Sequence, residues 1–124
     1  MSYAGGCGSD DVQPDADLYY HSGSIEEIRY YVLDGPGNVC GSLVPTTNTA
    51  PTVTLKYQND FYIPISTPFE LKGSATDPDG DKLSYCWEEL DAGPEVPMGQ
   101  AAGNCAIFRT FLPDTASNRY FPRL

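Results

Sequence analysis

Residues 69–88 alternate in polarity about a tight acidic turn, a pattern that little other than antiparallel β-structure accepts. Phe69, Leu71 and Ala75 alternate with Glu70, Lys72 and Ser74, and Leu83, Tyr85 and Trp87 alternate with Ser84, Cys86 and Glu88. A period of two sends successive side chains to opposite faces, so each run reads as a half-buried strand. The link between them, Asp77-Pro78-Asp79-Gly80-Asp81, is made of turn-forming residues. Further short strands are predicted at Thr52–Leu55, Phe61–Ile63, Ile107–Phe111 and Arg119–Phe121. Twelve glycines and eleven prolines limit helix, and nine tyrosines and five phenylalanines favour strands. The expected fold is mainly β: an incomplete immunoglobulin-like or PKD-like β-sandwich, preceded by a loop and a single helix. The strands are fewer than such a sandwich needs, so it is expected to be truncated.

The helix is predicted from local signals. Ser24 is placed to cap it, and Glu27 three residues on completes a capping box. Ile25, Ile28 and Val32 share one face, Gly35 ends the run and Pro36 prevents its continuation. A helix of about ten residues does not hold in water without packing. The Gly- and Asp-rich stretch before it offers no core, which points to a larger partner. The Pro/Thr-rich stretch Val44-Pro45-Thr46-Thr47-Asn48-Thr49-Ala50-Pro51-Thr52 reads as an extended linker. The expected division is therefore 1–43, a linker at 44–52, and a β-module at 53–124.

Seven basic residues stand against seventeen acidic ones, a formal charge of −10. This argues against nucleic acid or an anionic membrane surface as partner. No apolar run approaches the roughly 18 residues of a spanning helix, and no basic leader opens the chain. Four cysteines, Cys7, Cys40, Cys86 and Cys105, in a short acidic chain favour disulfides and a secreted, oxidising setting. Three connectivities are open. Cys7–Cys40 with Cys86–Cys105 is preferred because each pair falls within one compositional region, and each bond would contribute about 3–4 kcal/mol. Four unbonded thiols are the alternative. Cys86 adjoins Trp87, so the two face opposite sides of a strand, and Cys86 is expected to staple the loop carrying Cys105.

Met1-Ser2-Tyr3-Ala4, Gly6-Cys7-Gly8 and the helix at Ser24-Ile25-Glu26-Glu27-Ile28 together resemble the segment after the zinc motif of metzincin metalloendopeptidases, bacterial reprolysin-like members above all. The stretch from Ile63-Pro64-Ile65 through Gly73-Ser74-Ala75-Thr76-Asp77 to Tyr85-Cys86-Trp87-Glu88 is similar to the β-sandwich appended to such secreted proteases, and Ile107-Phe108-Arg109 and Arg119-Tyr120-Phe121-Pro122 fit the same pattern. The resemblance implies that Met1 is the Met-turn residue under the zinc. It also implies that Ser24-Ile25-Glu26-Glu27-Ile28 belongs to the last helix of a catalytic domain, and that a cysteine like Cys40 closes that domain. The plain alternative for Met1 is an initiator. The zinc site of that family needs H-E-x-x-H and a third histidine, and this chain has one histidine, His21. No catalytic residue is therefore assigned, and zinc would belong to a parent enzyme.

Asp77, Asp79 and Asp81 are candidate Ca²⁺ ligands, because hard carboxylate oxygens on one turn suit an ion that takes about six to eight of them. The competing reading is an acidic turn whose carboxylates accept backbone N–H bonds. His21 with Ser22, Ser24 and nearby aspartates could be written as a nucleophile triad, but no G-x-S-x-G elbow accompanies it. Glu88, Glu89 and Asp91 could be written as a glycosidase acid pair, though neighbours on a strand point apart. The expected function is a non-catalytic, C-terminal piece of a secreted zinc metalloendopeptidase, with its β-module serving substrate or surface attachment. The alternative is a secreted β-sandwich subunit that self-assembles by strand donation. The expected partners are accordingly an upstream catalytic domain or further copies of the chain.

Overall fold

The structure, a computed structural model, describes residues 8–11, 13–57, 60–91, 93–94, 96–97 and 99–122. Its regular elements are one helix, α1 (Ser22–Leu33), and three strands, β1 (Thr52–Leu55), β2 (Phe69–Thr76) and β3 (Asn118–Phe121), with short 3-10 turns at Gly8–Asp10 and Pro36–Val39. The strands form one antiparallel sheet in the order β1-β2-β3. Among the described residues no second sheet forms, so the observed architecture is this sheet with one helix.

The chain divides into two compact units. One unit draws on Met1–Val44 and Glu88–Leu112, the other on Pro45–Trp87 and Pro113–Leu124.

In the second unit, alternation places the strands well. β1 pairs with the far half of β2, Thr52 opposite Thr76 and Leu55 opposite Gly73. β3 pairs with the near half, Phe69 opposite Phe121 and Lys72 opposite Asn118. Odd-numbered positions on β2 carry Phe69, Leu71, Gly73 and Ala75, and the facing residues on this side are Val53, Leu55, Arg119 and Phe121. The Phe69 and Phe121 rings stack at 4.8 Å, and the Arg119 guanidinium lies 4.7 Å from the centre of the Phe121 ring. Phe121, 7% exposed, is one of only two buried apolar side chains among the described residues; the other is Cys105. Trp87 lies over Gly73, where an added Cβ would sit 3.2 Å from the indole and 3.3 Å from Leu55. Glycine is needed there for close approach, not for an unusual backbone angle. The even side of β2 is polar: Glu70 bonds Lys72 at 2.8 Å and the Asn118 amide at 2.7 Å.

Three predicted strands do not form. Segment 83–87 makes only a single bridge, with Tyr85 exchanging backbone bonds of 2.6 and 3.0 Å with Asp114. Side chains add to it: the Trp87 indole donates to Ser117 O at 3.1 Å and Arg119 donates to Trp87 O at 2.9 Å. Residues 61–63 run into a turn closed by Thr67 N–H on Pro64 O, with Ser66 at φ 61°. Residues 107–111 lose their ladder because Glu89 takes the N–H groups of Ile107 and Phe108 at 3.0 and 2.7 Å.

In the first unit the helix begins three residues earlier than its sequence signals indicate, at Ser22 instead of Ile25. The N-cap is His21, with no side-chain cap bond, and no capping box forms at Ser24 and Glu27. Glu88, 66 positions away in sequence, takes the role: its Oε2 accepts from Ser22 N at 2.8 Å and Ser22 Oγ at 2.6 Å. A carboxylate there satisfies an orphan N–H and faces the positive end of the helix dipole. The exit agrees with prediction: Asp34 and Gly35 N–H groups both bond Tyr30 O, and Pro36 opens the 3-10 turn. Gly37 is buried under the Tyr31 ring. Yet α1 buries none of its residues; Ile25 is 53% exposed, Ile28 48% and Val32 45%.

Candidate functional site

The acidic turn behaves as the competing reading has it. Asp77 Oδ1 accepts from Asp79 N at 2.8 Å and Asp81 N at 3.3 Å, and Asp79 Oδ2 accepts from Thr49 N at 2.5 Å. Gly80, at φ 79°, donates to Asp77 O at 3.2 Å. Two of the three carboxylates are thus committed to backbone N–H groups. Among the described residues no group of three or more His, Cys, Asp or Glu is arranged to hold a metal ion.

The cysteines also depart from expectation. Among the described residues no disulfide joins Cys40, Cys86 and Cys105; Cys40 and Cys105 are free thiols. Composition had suggested Cys86–Cys105, but Cys86 is exposed and belongs to one unit, while Cys105 is buried in the other. Cys105 Sγ accepts from Ala102 N at 3.3 Å. Cys7 and Met1 lie outside the described residues, so Cys7–Cys40 and the Met-turn have no geometry here.

An open cleft of about 400 Å³ lies in the first unit. Tyr19 and His21, just before α1, form one wall, and Phe108 and Arg109 form another. The Tyr19 and His21 rings tilt against each other at 5.0 Å. His21 Nδ1 lies 3.5 Å from Tyr19 Oη and 3.7 Å from Glu88 Oε1. Glu88 is pulled two ways: partial burial raises its pKa, and the Ser22 hydroxyl, the Ser22 N–H and His21 outweigh it, so the net shift is downward. Arg109 bonds Gln13 Oε1 and Asp17 Oδ2, the latter at 3.4 Å, and stacks on Phe111 at 4.7 Å.

No nucleophile is aligned in this cleft. Ser22 Oγ donates to Glu88, not to His21, so the triad is not assembled. Of the acid-pair candidates, Glu88 caps a helix and Glu89 accepts two loop N–H groups. The zinc of the resembled family has no ligand set here, because the sole histidine faces a tyrosine and one carboxylate. What sequence reasoning missed is Glu88 as the partner of α1; nothing local to the helix signals it.

Comparison with protein-family models, with curated proteins and with solved structures finds no match to this chain. Among the described residues no helix is long and apolar enough to cross a membrane.

Proposed function

We propose that this chain is a non-catalytic, packing-dependent portion of a larger secreted protein, its β-unit serving attachment to a substrate or surface. The observation that carries the reading is the near absence of a core. Two apolar side chains are buried among the described residues, while α1 buries none and leaves Ile25, Ile28, Tyr31 and Val32 at the surface. An amphipathic helix earns its stability by covering its apolar stripe, and nothing among the described residues does so. The metzincin resemblance at Met1-Ser2-Tyr3-Ala4 suggests what the larger protein is: a zinc metalloendopeptidase whose ligands lie outside this chain, with Met1 in the Met-turn. The polar-out, apolar-in alternation of β2 suggests that the β-unit is part of an immunoglobulin-like sandwich.

The test has two arms. The reading frame upstream of Met1 is expected to encode an H-E-x-x-H helix, and the purified chain to retain no stoichiometric zinc in equilibrium dialysis. A frame without that helix removes the protease parentage. Tight zinc binding by the chain alone removes the non-catalytic assignment. A second reading is favoured by one observation, the open outer edge of β1: a sandwich subunit completed by strand donation from another copy. Size-exclusion chromatography separates it, since donation yields polymers.

A further inference from the structure

An apolar cleft of about 350 Å³ lies over β1 and β2, lined by Val53 and Leu55 of β1, Ala75 of β2, and Leu83, Tyr85 and Trp87. Val53 is 67% exposed and Leu55 49%. β1 is paired on one side only, with β2, and among the described residues its other edge meets no strand. An unpaired edge presents a row of N–H and C=O groups that an extended backbone satisfies, and a groove beside it takes every second side chain. The main chain thus selects an extended occupant and the cleft selects alternating apolar residues.

Charge selects the rest. Thr52, the first residue of β1, pairs with Thr76, and the acidic turn Asp77, Asp79, Asp81 follows directly, with Lys82 as its one cation. Lys56 follows the last residue of β1 at the opposite end. The edge is therefore acidic at the Thr52 end and basic beyond Leu55. A second copy of the chain brings a formal charge of −10 against −10, which opposes self-pairing. From edge, cleft and charge we infer that β1 docks an extended peptide segment of another protein, apolar at alternate positions and carrying lysine or arginine at the end nearest the Asp77–Asp81 turn. This inference rests on the attachment role proposed above and names its partner chemistry.

The experiment uses the whole chain and its single tryptophan, Trp87, which lines the cleft. The probes are a synthetic peptide of alternating Val and Thr ending in two lysines, the same peptide ending in two aspartates, and a lysine-ended version in which every Val and Thr is replaced by proline. The lysine peptide is expected to shift Trp87 emission to the blue in a saturable titration. The aspartate peptide should bind at least tenfold more weakly at low salt, the gap narrowing as salt screens the exposed charges. The proline peptide, which cannot donate to the edge, should give no shift. Asp79→Asn with Asp81→Asn should weaken the lysine peptide severalfold without weakening the aspartate one. Val53→Lys, at an exposed position, should abolish binding with the far-UV CD spectrum unchanged; if that variant misfolds, the peptide series still decides. Equal binding of the two charged peptides, binding of the proline peptide, or no saturable shift overturns the inference, as does a shift that sedimentation traces to self-association. Loss of the upstream H-E-x-x-H helix would remove the protease parentage and leave a positive titration standing, so the two failures are distinguishable.

Discussion

Replacing Phe121 by alanine should remove more than half the stability of the β-bearing unit. Phe121 is 7% exposed, stacks on Phe69 at 4.8 Å and has the Arg119 guanidinium 4.7 Å from its ring. Truncating a buried phenylalanine costs about 3–5 kcal/mol. The neighbouring side chains are only half-buried and can partly collapse into the gap, so the low end, about 3 kcal/mol, applies. Of that, the stacked pair accounts for about 1 kcal/mol beyond area burial. Small domains are stable by about 5 kcal/mol at the lower end of the usual range, so the loss removes more than half. With a urea dependence of about 1 kcal/mol per molar, the midpoint falls by about 3 M. The assay is urea unfolding followed by Trp87 emission, since the indole N–H is anchored on Ser117 O beside β3 in the same unit. Phe69→Ala alone and the double variant complete a cycle, in which the pair should show a coupling of about 1 kcal/mol. A midpoint shift below about 0.5 M for Phe121→Ala would show that Phe121 does not anchor this unit.

Three further outcomes are expected. Glu70 is held at a pKa of about 2, below its ordinary 4.5, first by the Lys72 ammonium and then by Asn118 and Tyr120. A depressed carboxyl adds stability above its unfolded pKa and loses it as pH falls, so melting temperature should drop between about pH 4.5 and 2 more steeply in the native chain than in Glu70→Gln; parallel pH profiles would contradict this. Glu88→Ala leaves Ser22 N–H without its acceptor, and by analogy with lost N-caps should cost about 1 kcal/mol, read as reduced helical CD with the β-unit's urea transition unmoved. Gly37→Ala places a methyl against the Tyr31 ring and 2.9 Å from Tyr31 O, so the end of α1 should loosen by about 1–2 kcal/mol, read by hydrogen exchange at the Asp34 and Gly35 amides.

The strands Thr52–Leu55, Phe69–Thr76 and Asn118–Phe121 were legible because alternation is written into a few adjacent residues. The exit of α1 was legible for the same reason, since Gly35 and Pro36 act where they stand. Its entrance was not, because the carboxylate that caps it comes from Glu88, and a capping box can be recognised only within one helical turn. The runs at 83–87 and 107–111 carry strand-like patterns, but the first makes one bridge, at Tyr85, and the Glu89 carboxylate claims the Ile107 and Phe108 donors of the second, a competition that periodicity does not reveal. Of the candidate site residues, the Asp77–Asp81 turn formed as a turn, with Asp77 Oδ1 and Asp79 Oδ2 accepting backbone N–H groups. The Cys86–Cys105 pairing was inferred from neighbourhood in composition, whereas bonding requires neighbourhood in space.

The interleaving of the two units has a consequence for anyone dissecting the molecule. The backbone passes from one to the other at Val44–Pro45, Trp87–Glu88 and Leu112–Pro113. A single protease nick in the Pro/Thr stretch therefore separates no finished piece: the amino-terminal fragment leaves without Glu88, Glu89 and Arg109, while the remainder keeps a loop whose companions are gone. The halves should recombine when mixed, as split proteins do.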